Sequence, residues 1–332
     1  IMKPEQRDAL RPASLAEFTG QEDLTRHLSI TLRAAKERNE MPDHVLLSGP
    51  PGLGKTTLAQ IIAREMSLPL INTSGPALER PGDAAALLSG VSVPSILFID
   101  EIHRLPRQVE EILYPAMEDG VLDFVVGDGV KARTVRLPLQ PICVVGATTQ
   151  SGMLSAPLRD RFGFQGRLVL YPDAQMSEIV SKSLAKLGVI SSDDAWREIA
   201  RRSRGTPRVA NNLCRRVRDW AQINEHTEID GDVASAALRD FGVDEAGLDL
   251  LGNEILRALC TKFDGGPVGA ATLAASVGEA VVTLTEVYEP YLMHKGFLRR
   301  TPRGRVATSE AYRHLEMDTP LELTLGLDEN GD

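Results

Sequence analysis

The stretch Gly49-Pro50-Pro51-Gly52-Leu53-Gly54-Lys55-Thr56 satisfies the pattern G-x-x-x-x-G-K-[ST], and its flanks decide how it is read. Val45 to Ser48 before it is a short apolar run of strand character, and Thr57 to Met66 after it has helical spacing. Between a buried strand and a helix, a Gly-rich loop lets backbone N–H groups close around phosphate oxygens, assisted by the positive end of the helix dipole. Lys55 then reaches the β and γ phosphates, the Thr56 hydroxyl ligates Mg²⁺, and Gly52, Gly54 and Thr57 complete the ATP cradle. The plain alternative is a Gly-rich turn that matches by chance, and the strand-loop-helix context argues against it.

Ser95 to Ile99 is a second buried strand, and Asp100 and Glu101 end it. Two acids after a strand are ordinarily a solvated strand end. About 45 residues after a phosphate loop they take another meaning: Asp100 holds the magnesium through water, and Glu101 orients and polarises the attacking water. A third strand, Ile142 to Val145, leads to Thr148 and Thr149, where a polar side chain meets the γ-phosphate or the water. Strands alternating with helices imply an α/β fold, a parallel sheet with helices on both faces. Leu24, Leu28 and Leu32 mark an amphipathic helix ahead of it. Residues 121–139 break the alternation with two β-prone runs around Asp128-Gly129, which predicts an inserted hairpin.

After Pro172 the pattern becomes wholly helical. Met176, Ile179, Val180, Leu184 and Leu187 share one face, and a second helix around Trp196, Ile199 and Ala200 stops at Gly205. Thr206 is placed to cap a third helix with Pro207 at its first position, which puts Arg208 in the first turn, able to reach back to the phosphates. This small all-α domain ends near Gly242. Three further helices (Asn253 to Phe263, Ala271 to Ser276, Leu284 to His294) and two short strands around Thr301-Pro302-Arg303-Gly304 follow, the order of a winged helix-turn-helix. The domain reading is therefore 1–172, 173–242 and 243–332, with a short, frayed acidic tail.

Composition narrows the function. The 332 residues are 42% hydrophobic and 25% charged, ordinary for a folded globular protein. No run approaches the length of a transmembrane span, and Ile1 to Pro12 lacks the apolar segment of a secretory signal. Cys143, Cys214 and Cys260 are far apart and fit reduced core thiols in a cytoplasm. A net charge of −9 excludes coating nucleic acid by bulk charge. Two basic clusters remain: eight arginines against Glu198 from Arg197 to Arg218, and Lys295, Arg299, Arg300, Arg303, Arg305 and Arg313 against Glu310 from His294 to Arg313. Arg299, Arg300, Arg303 and Arg305 flank a hairpin tip, where several can touch DNA phosphates together and position the protein without reading sequence, although winged domains also serve protein contacts.

Pro157-Leu158-Arg159-Asp160-Arg161-Phe162-Gly163 is a further arginine site. An arginine entering a neighbouring subunit's pocket accelerates hydrolysis about 10³- to 10⁵-fold, roughly 4 to 7 kcal/mol of barrier. A surface ion pair, the bland alternative, contributes about 0 to 1 kcal/mol.

With these residues in view, the chain resembles the AAA+ ATPases, and within them the bacterial family of Holliday-junction branch-migration motors. The matching runs include Asp43-His44-Val45-Leu46-Leu47, Thr73 to Asp83, Phe98 to Leu105, Tyr114-Pro115-Ala116-Met117-Glu118-Asp119, Val145 to Thr149, Arg204 to Val209, Gly265 to Gly269, Glu289-Pro290-Tyr291-Leu292 and Arg300 to Arg305. The resemblance extends from about Leu10 to Leu315. It implies a large ATPase domain, a helical lid and a winged head, working as a hexameric ring in recombination and repair. The ring is driven by ATP with Mg²⁺ and acts on four-way junctions and duplex DNA with RuvA, and with RuvC in the resolving complex.

By the same resemblance Thr149 is the first sensor, Arg161 the finger acting in trans and Arg208 the second sensor. Arg159 shares the interface, and Leu10, Arg11 and Tyr171 hold base and sugar. Glu118, Asp119 and Gly120 fall among nucleotide-contacting positions, and the hairpin around Phe124, Val125, Val126 and Val130 docks on RuvA. Four departures stand out: Phe164-Gln165-Gly166 in place of a more apolar strand, few acids in Gly90 to Pro94, Gly120 where an aromatic is common, and Gln150 where arginine is usual. Two other functions compete, an ATP-gated DNA loader or initiator switch and a protein-remodelling machine with an adaptor-like head.

Overall fold

The computed structural model describes residues 10–126 and 133–320, without the side chains of 124–126, 133 and 134. The chain forms two compact units, Ile1–Tyr171 and Pro172–Asp332, each considered by itself. The predicted turn at Asp128-Gly129, Val130, and the acidic tail from 321 onward lie outside the described residues.

The first unit alternates α1 (Glu22–Arg38), β1 (Val45–Ser48), α2 (Lys55–Met66), β2 (Leu70–Ser74), α3 (Pro81–Ser89), β3 (Ser95–Asp100) and α4 (Arg107–Glu118). The chain then runs through β4 (Val121–Val126), β5 (Arg133–Pro138), β6 (Ile142–Thr148), α5 (Ala156–Arg159) and β7 (Phe164–Arg167). Five strands make one parallel sheet in the order β2-β3-β6-β1-β7. Because β1, β6 and β3 are parallel neighbours, their C-terminal ends share one edge, with Ser48 opposite Thr148. That edge is where an open α/β sheet binds its ligand. The middle strands are apolar because they are covered on both faces: Ile142 to Thr148 is buried throughout.

Helix α1 shows the same economy. Leu24, Leu28, Leu32 and Ala35 form its buried stripe, with Glu22 and Asp23 in the first turn and Lys36 and Arg38 in the last, each matching the helix dipole. The departure at Phe164-Gln165-Gly166 still forms a strand, pairing Val45 with Phe164. Gly166 leaves the space that the Leu24 side chain fills, since a Cβ there would stand 2.8 Å from Leu24 Cδ1. The predicted hairpin is present as β4 and β5, paired from Val121↔Pro138 to Val126↔Arg133. Val135 and Leu137 are exposed apolar residues on its second strand.

The second unit contains α6 (Asp173–Lys186), α7 (Asp193–Arg202), α8 (Pro207–Ile223), α9 (Gly231–Asp240), α10 (Leu250–Thr261), α11 (Ala270–Ser276) and α12 (Val281–His294). It ends with β8 (Leu298–Thr301), β9 (Gly304–Ala307) and α13 (Ser309–His314). The second helix stops at Arg202, earlier than Gly205, because Ser203 and Arg204 already turn the chain. Thr206 occupies the cap position of α8 but its hydroxyl donates to Arg204 O at 3.1 Å instead of accepting from the helix. In the head, Gly265 to Gly269 runs along the wing: Val268 and Arg305 exchange backbone hydrogen bonds of 3.0 and 2.8 Å. The three cysteines are buried free thiols, and burial pushes those of Cys143 and Cys214 up to about 12. Among the described residues no single helix is long and apolar enough to cross a membrane.

His44 ties β1 to its surroundings. Its Nδ1 accepts from Val144 N–H at 2.9 Å, so Nε2 bears the proton and donates to Met117 O at 3.0 Å. Burial holds this imidazole below the ordinary histidine range. The unfolded chain therefore binds more protons below about pH 6.5, and stability falls as pH drops through that region. A calorimetric titration from pH 7.5 to 5.5 is expected to show unit 1 losing up to about 1.4 kcal/mol per pH unit through this group. His44→Asn should flatten that slope; an unchanged slope would contradict the assignment.

Candidate functional site

The phosphate loop begins where β1 ends. Gly49, Gly52 and Gly54 take φ values of 137°, 82° and 110°, which side-chain-bearing residues rarely adopt. At Gly49 the need is absolute, because a Cβ would stand 2.3 Å from the backbone oxygen of Leu168. Lys55 opens α2 and is buried, and its Nζ donates to Gly49 O at 2.6 Å and Pro50 O at 2.8 Å. A buried ammonium requires such oxygen partners. Thr56 is half-buried and Thr57 buried beside it. The residues expected around base and sugar gather here: Tyr171 donates its hydroxyl to Leu53 O at 3.2 Å, Arg11 Nη1 donates to Gln60 Oε1 at 3.2 Å, and Leu10 is buried. Burial drives the Tyr171 phenol far above its usual range, so it stays a donor.

At the end of β3, Asp100 Oδ1 accepts from the Glu101 N–H at 2.9 Å. Glu101 sits at φ 48°, left-handed for a residue with a side chain, a conformation costing about 1–2 kcal/mol. Such strain concentrates at functional turns. Buried Ile102 anchors the turn beneath it, and the Glu101 carboxylate meets Arg104 Nη1 at 2.9 Å, an exposed pair of little energetic weight. At the end of β6 the two threonines divide their work. Buried Thr148 accepts from Gln150 N–H at 2.9 Å and lies 3.0 Å from His103 Nδ1, so its hydroxyl is spoken for. Thr149 is half-buried at the same edge as the phosphate loop.

The arginine corner lies after α5. Arg161 Nη1 donates to Pro157 O at 2.6 Å, Nη2 meets Glu118 Oε2 at 2.9 Å, and the guanidinium stacks 4.2 Å from the Tyr114 ring centroid. Tyr114 is itself held, donating to Glu110 Oε2 at 2.8 Å, where Ser155 also donates at 2.6 Å. The structure thus joins Arg161 to Glu118, a link that spacing along the chain could not announce. Asp119 Oδ2 lies 3.9 Å from Arg136. Gly120 adopts φ 65° with open space around the missing side chain, so its departure from an aromatic reflects the left-handed turn that ends α4. Arg159 is exposed at the end of α5.

In the second unit Arg208 is exposed in the first turn of α8. At the wing, the three arginines expected to act alike do not. Arg305 is largely buried and forks onto buried Glu289, with Nε 2.5 Å from Oε1 and Nη2 3.1 Å from Oε2. Arg300 stays 58% exposed and reaches the same carboxylate only at 3.7 Å, and Arg303 is exposed at the tip. Sequence reading gave no role to Glu289, Tyr114 or Glu110, because their contacts to Arg305, Arg161 and Ser155 join positions 16 to 47 residues apart that no local pattern marks.

Gly49→Ala should cost roughly 2–4 kcal/mol, because its clash is with backbone that cannot swing away. Gly120→Ala should cost only about 1 kcal/mol, the left-handed penalty alone. Chemical denaturation of the two variants checks the order; equal losses would contradict the close approach at Gly49.

A family model of the Holliday junction DNA helicase RuvB P-loop domain matches residues 10–168, the RuvB AAA lid domain matches 171–244, and the RuvB C-terminal winged helix domain matches 245–316. Among solved structures, the Thermotoga maritima RuvB Holliday junction branch migration motor is 47% identical with a TM-score of 0.86, over 94% of this chain and 100% of that one. A point mutant of Thermotoga maritima RuvB is likewise 47% identical, with a TM-score of 0.87 over 93% of this chain and all of the other. A phosphate loop, an acidic strand end and a threonine on one sheet edge, followed by lid and wing, place the chain in the RuvB family of AAA+ P-loop ATPases.

Proposed function

We propose that this chain is an ATP-driven DNA motor that moves Holliday junctions by branch migration, working as a hexameric ring with RuvA on junction and duplex DNA, and with RuvC during resolution. The observation that supports this most is the gathering of Lys55, Asp100 and Thr149 on one edge of the sheet, in a chain whose other half supplies a lid and a basic wing. The working division is 1–172 for the ATPase domain, 173–242 for the lid and 243–332 for the head. The lid and head belong to one compact unit.

Lys55 exchanges its loop carbonyls for the β and γ phosphates as ATP enters, and the N–H groups of Gly52, Gly54, Thr56 and Thr57 receive phosphate oxygens. Thr56 and Asp100 would hold Mg²⁺, which would neutralise phosphate charge during hydrolysis. A half-buried hydroxyl at the helix start and a carboxylate at the end of β3, one strand removed from β1, are the oxygen donors this ion prefers. Glu101 orients the water and accepts its proton, and Thr149 senses the γ-phosphate from the next strand. Leu10, Arg11 and Tyr171 hold base and sugar. Arg208 reads the phosphates from the lid. Arg161 acts in the neighbouring subunit's pocket, with Arg159, Glu118, Asp119 and Gly120 on the same face. The ion pair to Glu118 and the Tyr114 ring support that role, because they hold the guanidinium in one pose before the neighbour arrives.

Arg300, Arg303 and Arg305 address DNA phosphates. Arg305 does so with Nε and Nη2 committed to Glu289, so it both contacts DNA and stiffens the wing. The β4-β5 ribbon docks on RuvA, a role supported by exposed Val135 and Leu137.

Mixing Arg161→Ala subunits into wild-type rings is expected to lower ATP turnover more steeply than the fraction added, because each mutant disables its neighbour's site; strictly proportional loss would overturn the trans role. Junction DNA should sustain turnover and be disrupted, whereas one hydrolysis per binding event would favour a loader switch. Arg300→Ala should reduce the slope of log affinity against log salt by about 0.9 and leave folding unchanged. Arg305→Ala should in addition destabilise the second unit by roughly 3 kcal/mol or more, since it strands the Glu289 carboxylate in the protein interior. Salt titrations of duplex binding with denaturant melts separate the two.

A further inference from the structure

Residues 243–249 lie where the lid ends and the head begins, and a free hinge there would be exposed and unpaired. The structure has the opposite. Val243 and Leu248 are buried. Gly247, at φ 79°, lies so close to α7 that a Cβ would stand 2.5 Å from Arg202 O, so backbone rests directly on backbone.

Two arginines, the last residue of α7 and one in the turn that follows it, hold this segment. Arg202 is 1% exposed; its Nη1 donates to Val243 O at 2.9 Å and its Nη2 to Ser235 Oγ at 2.9 Å, beside an ion pair to Glu198. Arg204, in the left-handed region at φ 55°, donates Nε to Gly247 O at 2.6 Å and brings Nη2 to 2.9 Å from Asp249 Oδ2. Its guanidinium also lies 5.4 Å from the Tyr288 ring and 5.9 Å from the Tyr291 ring, both on α12 of the head. Those tyrosines close the far side: Tyr291 donates to Ala246 O at 2.5 Å and Tyr288 to Asp249 Oδ2 at 3.1 Å. A single guanidinium therefore touches the joining segment and the helix that leads into the wing. Thr206 leans back onto Arg204 O, and two residues later comes Arg208.

We propose that Arg204 is a positioning residue for DNA movement, a latch that fixes the winged head to the start of the helix bearing Arg208. With the latch closed, any displacement of Arg208 on nucleotide turnover is passed to Arg300 and Arg303 as the motion of one body. This rests on the reading of Arg208 as a nucleotide sensor and of the wing as the DNA contact. Arg204 touches neither nucleotide nor DNA in this scheme, so its loss uncouples the two activities without abolishing either.

The test measures ATP turnover and branch migration in one reaction, using the full chain with RuvA on a synthetic four-way junction. Arg204→Ala is expected to hydrolyse ATP within about twofold of wild type while consuming at least about fivefold more ATP per base pair moved, the lower end of typical coupling between sites. Arg204→Lys keeps the charge opposite Asp249 but lacks the fork, and should recover part of the loss. Asp249→Asn keeps the cap of α10, where Asp249 accepts from Gly252 N–H at 2.9 Å, yet places a donor against Arg204; it should uncouple in a chain that still folds. An unchanged ratio of ATP to base pairs in either folded variant overturns the latch, as does an equal fall in turnover and migration. If the wild-type chain moves no junction at all, the motor reading fails first, and that result is distinct from an unaltered ratio.

Discussion

The contact on which the nucleotide site depends is a backbone one: Gly49 against the carbonyl of Leu168, with no room for a side chain. This approach joins the exit of β1 to the segment after β7, bending the chain into the loop that Lys55 closes from inside by donating to Gly49 O and Pro50 O. The loop is thus preorganised by its own oxygens, and nucleotide phosphates can replace them without rebuilding the turn. The flanking strands then need only be parallel neighbours for Asp100 and Thr149 to arrive at the same edge. Sheet order does the positioning, and the loop supplies the chemistry.

Much of this was legible in the sequence because it is local. The Gly49–Thr56 run, the apolar strand ending in Asp100-Glu101, the hairpin and the wing turn each fit within a few residues, and all are present. The small strand β2 was not legible: Leu70-Ile71-Asn72-Thr73-Ser74 is only half-buried, so it lacks the apolar run that marks β3. The sequence puts the stop of α7 late because Arg204 already takes the left-handed turn that Gly205 then continues. Thr206 looked like a cap, yet its hydroxyl serves the preceding turn.

Side-chain partners were the least legible. A basic cluster at the wing reads as uniform charge, yet the fold divides it: Glu289 is buried and claims Arg305, while Arg300 remains mostly in solvent. The same applies to Arg161, whose companions Glu118 and Tyr114 come from α4. Burial is what separates these arginines. An exposed pair contributes about 0 to 1 kcal/mol, whereas removing one member of a buried pair costs several. Sequence supplies the charges, and only the tertiary structure says which are structural.

The nucleotide site is tested most directly by a structure of the junction-bound assembly with a non-hydrolysable ATP analogue and magnesium. In that state Lys55 Nζ is expected to have left Gly49 O and Pro50 O for phosphate oxygens at about 3 Å, with the neighbouring subunit's Arg161 guanidinium at similar distance from the γ-phosphate. A Lys55 still bound to its own loop, or an Arg161 still turned to Glu118 and remote from every nucleotide, would contradict this arrangement.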